Sequence, residues 1–160
     1  MIKAILACDD KGAIGLNKSL PWPKNKEDMS WFKDQTTGHI VVMGSKTWLG
    51  SPLPNRKNVV VSKKSPEIYE GAFRVIGKNL LEEIKNLEEE FPNLIIWVIG
   101  GSHLFENLLP VISQLYLTRI PGEFDADTFI DLNIIDKNFN KILITDVRTA
   151  SFEIWEKKKI

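Results

Sequence analysis

The 160-residue sequence predicts an α/β fold: a single-domain, doubly wound mixed sheet, mostly parallel, closed by an antiparallel C-terminal hairpin, with about eight strands and four helices. Three observations predict it. Uninterrupted apolar runs at 4–8, 40–43 and 94–99 read as strands buried on both faces, the mark of a parallel sheet. The second and third runs lead straight into glycines followed by short helical patterns, a strand, glycine, helix theme used twice. The last two strand patterns, 141–145 and 152–155, follow each other without a helix and so pair antiparallel.

The first run stops at Asp9, Asp10, Lys11 and Gly12. The loop after it, 9–24, carries Gly12, Gly15, Pro21 and Pro23 with no periodicity, and a loop of that length in a compact domain is more often functional than idle. A helix then opens near Lys26 and is ended by Thr36, Thr37 and Gly38. It sets Asp28, Trp31 and Phe32 three and four residues apart, so a carboxylate shares a face with two aromatic rings. Two readings of this acid stay open. Either Asp28 faces water in the first turn and complements the helix dipole, with Met29 and Phe32 in the core, or it is buried. A buried, ionised carboxylate requires paired donors such as an amidine, a guanidine or a 2-aminopyrimidine edge.

Gly44, Ser45, Lys46 and Thr47 are expected to start a short helix through Trp48, whose free N–H groups suit an anion. The string lacks the preceding glycine and spacer of a Walker A loop, which excludes a nucleotide hydrolase. Residues 52–56 read as a stiff turn, 58–62 as a strand closed by Lys63 and Lys64, and 73–76 as another strand. Leu80, Leu81, Ile84 and Leu87 mark an amphipathic surface helix ended by Pro92. The run 94–99 enters Gly100, Gly101 and Ser102 and then a helix over 104–108. A strand at 114–119, a turn at Pro121 and Gly122, and an acidic loop at 125–128 precede the closing hairpin. Ligands of such sheets collect at the carboxyl ends of the strands. Asp28, Gly44, Ser62, Gly100 and Thr118 all fall at or just beyond such ends, and the two glycine junctions suit one extended polyanion held from two directions.

Composition removes several classes. The 21 Lys and Arg balance the 21 Asp and Glu, so no global field points to nucleic acid or a membrane surface. The lone Cys8 excludes an internal disulfide framework and suits a reducing compartment. His39 and His103, far apart, make no metal site with one cysteine, so no metal is expected. Neither a signal peptide nor a membrane span is visible, which makes the cytoplasm the expected location. No helix shows an unexplained apolar second face, and a monomer is expected.

Nine short motifs then stand in order: Ile14-Gly15; Leu20-Pro21-Trp22; Asp28 ahead of Trp31-Phe32; Met43-Gly44-Ser45-Lys46-Thr47-Trp48; Pro52-Leu53-Pro54-Asn55-Arg56; Val98-Ile99-Gly100-Gly101; Tyr116-Leu117-Thr118-Arg119-Ile120; Asp127-Thr128-Phe129; and Phe152-Glu153-Ile154. Together they resemble the dihydrofolate reductase family over nearly the whole chain. The resemblance implies reduction of 7,8-dihydrofolate by hydride transfer from NADPH, and sensitivity to antifolates such as 2,4-diaminopyrimidines. It casts Asp28 as the acid that binds the pterin's 2-amino group and adjacent ring nitrogen. Thr118 is cast as the hydroxyl bonded to that acid, Ile5, Ala7, Phe32 and Leu53 as the pocket walls, and Arg56 as the clamp on the glutamate tail.

On the cofactor side the resemblance implies Gly100 and Gly101 at the pyrophosphate, with Gly44, Ser45, Lys46 and Thr47 facing them. Lys46, Ser62 and Lys63 would hold the 2′-phosphate. The loop carrying Ile14, Gly15 and Leu20 would close over the nicotinamide, and Ala7, Ile99, Ser102, His103, Leu104, Phe105 and Thr128 complete that side. The proton would come from water admitted past Leu20 and held near Trp22 and Asp28, with Asp28 acting electrostatically. Phe105 stands where many members carry Tyr, Ser102 in place of a frequent glycine, His103 of a frequent Arg, and Asp131 of a usual proline; the segment between Trp48 and Pro52 is about two residues shorter than in many relatives. The alternatives weighed are a pyrimidine reductase of riboflavin synthesis, which needs no acid for a 2-aminopyrimidine edge, and a non-catalytic NADPH-binding module.

Overall fold

A computed structural model describes residues 1–159. In chain order the elements are β1 (Ile2–Cys8), β2 (Ala13–Gly15), α1 (Lys26–Thr36), β3 (Ile40–Gly44), β4 (Lys57–Val61), β5 (Arg74–Ile76), α2 (Leu80–Glu90), β6 (Ile96–Val98), α3 (Ser102–Leu108), β7 (Gln114–Arg119), β8 (Thr128–Phe129), α4 (Leu132–Asn138), β9 (Phe139–Asp146) and β10 (Ser151–Lys157). Eight strands form one sheet in the order β5-β4-β3-β6-β1-β7-β10-β9, and β2 pairs with β8 apart from it. Pairing is parallel from β5 to β7 and antiparallel through β10 and β9. The mostly parallel sheet with its antiparallel C-terminal hairpin is the architecture the apolar runs predict.

Strand alternation sorts the core into two layers. Ala4, Leu6, Cys8, Val42, Val98, Leu115 and Leu117 point to the face covered by α2, α3 and α4, where Ile84, Leu87, Phe105, Leu108 and Ile135 meet them. Ile5, Val41, Met43, Val60 and Trp97 point to the other face, where Trp31 and Phe32 of α1 close over them. On the second face α1 is joined only by the shorter segments carrying Trp48, Leu53 and Tyr69, and the strand ends beside α1 form the candidate cleft.

Several expectations are corrected. Residues 45–47 form a turn, closed by the Thr47 N–H on the Gly44 carbonyl at 3.0 Å, because Gly50, at φ +94°, and Pro52 interrupt the helical pattern. The fourth helix is instead α4, at residues for which no helix is expected from the sequence; its N-cap is Asp131, which accepts the Asn133 N–H at 2.9 Å. Met29 is 45% exposed rather than in the core. The aperiodic loop 9–24 contains β2, too short at three residues to show alternation. Among the described residues no helix is long and apolar enough to cross a membrane.

Candidate active site

The floor of the cleft is set by register. Ala7 of β1 lies opposite Thr118 of β7, and Thr118 opposite Phe152 of β10, so the three side chains stand abreast on the α1 face. Trp31 lies flat on Phe152, ring centroids 4.4 Å apart and 7° from parallel, and 6.0 Å from Tyr116. That stack anchors α1 across the strand ends. Asn25 starts the helix, its side chain accepting the Asp28 N–H at 2.9 Å, so the third helical position, Asp28, is carried inward.

Asp28 is only 8% exposed. Burial pushes its carboxyl above the ordinary range, and the neighbouring Thr118 hydroxyl pulls the other way. The water-facing reading of this acid is therefore wrong. Among the described residues Thr118 Oγ1, Arg119 Nε and the indole nitrogens of Trp22, Trp31 and Trp97 are buried without a hydrogen-bond partner outside the Asp28 carboxyl, and of these it is the Thr118 hydroxyl that neighbours Asp28. A buried carboxylate with a hydroxyl beside it and aromatic rings around it suits a planar ligand that brings paired donors. No cluster of His, Cys, Asp or Glu among the described residues is placed to hold a metal ion.

The outer wall is Leu53, held by a residue the sequence reading passed over. Asn58, 1% exposed, accepts the Leu53 N–H at 2.8 Å and donates to the carbonyls of Leu53, at 2.9 Å, and Arg56, at 3.1 Å. Arg56 in turn donates Nε to the Pro54 carbonyl at 2.9 Å and Nη1 to Thr36 Oγ1 at 3.0 Å, and lies over the Phe32 ring at 5.9 Å. Two of its five N–H donors are thereby spent on aiming the guanidinium, leaving the others for a carboxylate.

The glycine junctions meet because their strands are neighbours. The Gly44 N–H donates to the Gly100 carbonyl at 2.8 Å, and a Cβ on Gly101 would meet nothing within 4 Å, so open space adjoins that backbone. Gly44 lies opposite Val61 in register, which brings the exposed Lys46 and Lys63 out from adjacent strand ends. Ser62 Oγ accepts from the Tyr69 hydroxyl at 2.8 Å and from the Lys64 N–H at 3.0 Å, so its own O–H remains to donate. These residues fit a phosphorylated dinucleotide. Of the turn's N–H groups, those of Gly44 and Thr47 are spent within the chain, fewer being free than a helix start would offer. Ile99, Ser102 and His103 line the same junction in sequence, while Leu104 and Phe105 are buried in the larger apolar cluster.

The loop between β1 and α1 folds over as a hairpin. Leu16 and Ser19 exchange backbone bonds at 2.8 and 2.9 Å across Asn17 and Lys18, both at positive φ. The loop is tied to its neighbour: the Asn17 N–H donates to Asp127 Oδ2 at 2.8 Å and the Asp127 N–H to the Gly15 carbonyl at 2.9 Å. A Cβ at Gly15 would stand 3.3 Å from that of Thr128, a tight fit that packs this backbone closely against β8. Ile14 is half-buried and Leu20, just past the hairpin, is 47% exposed. At the helix start, the Thr149 N–H and hydroxyl donate to Glu27 at 2.9 and 2.6 Å.

The structure thus brings Ile5, Ala7, Trp22, Asp28, Phe32 and Thr118 to one face and the glycine-bearing strand ends beside them. The sequence reading missed Asn25, Thr36, Asn58 and Tyr69. Asn25 had a signal, a capping residue three before an acid; the others become legible only through contacts distant in sequence.

A buried acid and a twin-glycine junction at the carboxyl ends of a mostly parallel sheet place the chain in the class of α/β proteins built to bind a dinucleotide. Comparison with known proteins agrees: residues 1–153 match the family described as Dihydrofolate reductase. The dihydrofolate reductase of Bacillus subtilis is 39% identical over 130 residues, covering 79% of this chain and 73% of that one. The Haemophilus influenzae enzyme is 40% identical over 127 residues, covering 78% and 75%. The structure of Enterococcus faecalis dihydrofolate reductase complexed with NADP(H) and RAB-propyl superposes with a TM-score of 0.81 at 26% identity, covering 99% of this chain and 97% of that one. The chain belongs to the dihydrofolate reductase family.

Proposed function

We propose that the chain reduces 7,8-dihydrofolate to 5,6,7,8-tetrahydrofolate at the expense of NADPH, and that Asp28 is the residue on which substrate recognition turns. The observation that carries this reading is a carboxylate 8% exposed with the buried Thr118 hydroxyl beside it. A 2-amino group and the ring nitrogen next to it supply the two parallel donors that such a carboxylate lacks. Bound NADPH supplies the hydride. Gly44, Gly100 and Gly101 seat its pyrophosphate, and Lys46, Ser62 and Lys63 hold its 2′-phosphate.

The remaining work belongs to placement. Thr118 and Asp28 fix the edge of the pterin, with Ile5, Ala7, Phe32 and Leu53 as apolar walls. Arg56, aimed by Thr36, takes the glutamate carboxylate. Leu20 and the hairpin around it limit water, while Trp22, its indole N–H unspent, orients the water that protonates the pterin nitrogen. Asp28 assists through its charge and forms no covalent bond. The enzyme acts in the cytoplasm as a monomer, every site residue coming from one chain. The riboflavin-pathway reductase and the cofactor-binding module are not favoured by the family match.

The test is the loss of NADPH absorbance with and without dihydrofolate, repeated with a 2,4-diaminopyrimidine. Dihydrofolate-dependent oxidation blocked by the inhibitor is expected. Oxidation indifferent to dihydrofolate refutes the assignment.

A further inference from the structure

Asp9 looks from sequence like no more than the stop of the first strand, yet it is 0% exposed and wedged between two loops. Its Oδ1 accepts the N–H groups of Lys11 and Ala13, each at 2.9 Å, within the loop leaving β1. Its Oδ2 accepts the N–H of Phe124 at 2.8 Å, from the loop after β7. Burial pushes the carboxyl up, but the N–H groups of Phe124, Ala13 and Lys11 outweigh burial and hold it below its ordinary range. Beside it, the Asp10 N–H donates to the Gly122 carbonyl and the Gly122 N–H to Asp10 Oδ2, both at 3.0 Å. Two adjacent acids thus fasten the segment 122–124 to the base of the loop that covers the cleft.

Phe124 is the link to the pocket. Its backbone ends on Asp9, and its ring stands edge-on to Trp22, with centroids 6.3 Å apart at 66°. Trp22 and Phe124 belong to the small apolar cluster that also contains Ile120, Phe152, Ala7 and Trp31. Displacing Phe124 therefore frees one face of the Trp22 indole, whose N–H is buried without a partner among the described residues. A carboxylate is a costly way to end a strand in a dry place. What it gains over an apolar residue is a fixed direction for three N–H groups, one of them on the distant loop.

We propose that Asp9 is a positioning residue for the reduction: through the backbone and ring of Phe124 it holds Trp22 at the pocket lined by Asp28. The proposal rests on the dihydrofolate reductase reading above. The experiment compares wild type, Asp9→Asn, Phe124→Ala and the double variant, with single-turnover reduction by NADPH and deuterated NADPH, NADPH dissociation constants, and active sites titrated with a tight 2,4-diaminopyrimidine. Each single variant is expected to slow the hydride step per active site about tenfold to a hundredfold. The NADPH dissociation constant stays within about twofold, and the double variant is no slower than the slower single one. A purely structural role lowers the unfolding temperature and the titrated fraction of active sites but leaves turnover per site unchanged. That result overturns the proposal, as does an additive loss in the double variant. Should Asp9→Asn not fold, Asp9→Ser with Phe124→Leu makes the same comparison. Wild-type protein inactive toward dihydrofolate overturns the underlying reading, a failure distinct from a variant that matches an active wild type.

Discussion

Asp28 costs the empty protein stability. Burial raises its carboxyl pKa in the folded chain above the ordinary 3.8, so the folded state binds that proton more tightly than the unfolded state does. Below the unfolded value both states are protonated and no penalty exists; as pH rises through the folded pKa the penalty is fully established and persists to neutrality. Asp28→Asn is therefore expected to raise the unfolding midpoint of the unliganded protein at pH 7, with the gain fading as pH falls through the raised folded pKa towards 3.8 and absent below it. Turnover falls by orders of magnitude while NADPH affinity stays near wild type. Thermal unfolding scans across pH, with NADPH titrations, check this. An equal gain at every pH would place Asp28 in water. Cys8, by contrast, is pushed up to about 12 by burial, against the pull of Arg119, and is a packed thiol rather than a nucleophile.

At the scale of elements, the strands were legible in the sequence because both faces are buried, which leaves unbroken apolar runs such as 40–43. The helix α1 was legible from its spacing and α2 from its stripe. What stayed hidden were elements defined by a partner. β2 and β8 are three and two residues long and exist through pairing with each other. The candidate site divides the same way: Asp28, Thr118 and the glycines carry their chemistry in the residue type, whereas Thr36 and Asn58 act through segments they touch. Asn58 makes the clearest case, since three hydrogen bonds staple the turn at 52–56 to β4. Asn58→Ala leaves the Leu53 N–H and the carbonyls of Leu53 and Arg56 unpartnered and is expected to lower stability by roughly 2–4 kcal/mol. Denaturant melts measure that loss. Because the turn carries Leu53 and Arg56, KM for dihydrofolate rises while KM for NADPH does not; a rise in both would mean the turn also shapes the cofactor side.

For the whole molecule, the C-terminal edge of the sheet is an exposed one. At neutral pH the chain has no net charge and an isoelectric point near 6.7, so repulsion between copies is weak. At one end β9 is an outer strand of eight residues on which Ile142, Leu143 and Ile144 are 52%, 52% and 51% exposed. The one lysine of that strand does not guard it: Lys141 turns back to Glu153 at 3.2 Å and over the Trp155 ring at 5.2 Å. A long apolar edge with its charge drawn inward is a template for non-specific pairing. Leu143→Lys is expected to raise the protein concentration at which light scattering begins near pH 7, with unfolding free energy changed by about 0.5 kcal/mol or less. Ile68→Lys, at a residue 58% exposed outside the sheet, adds the same charge elsewhere and should raise it less. Equal gains from the two substitutions would trace the association to missing net charge instead of the open strand.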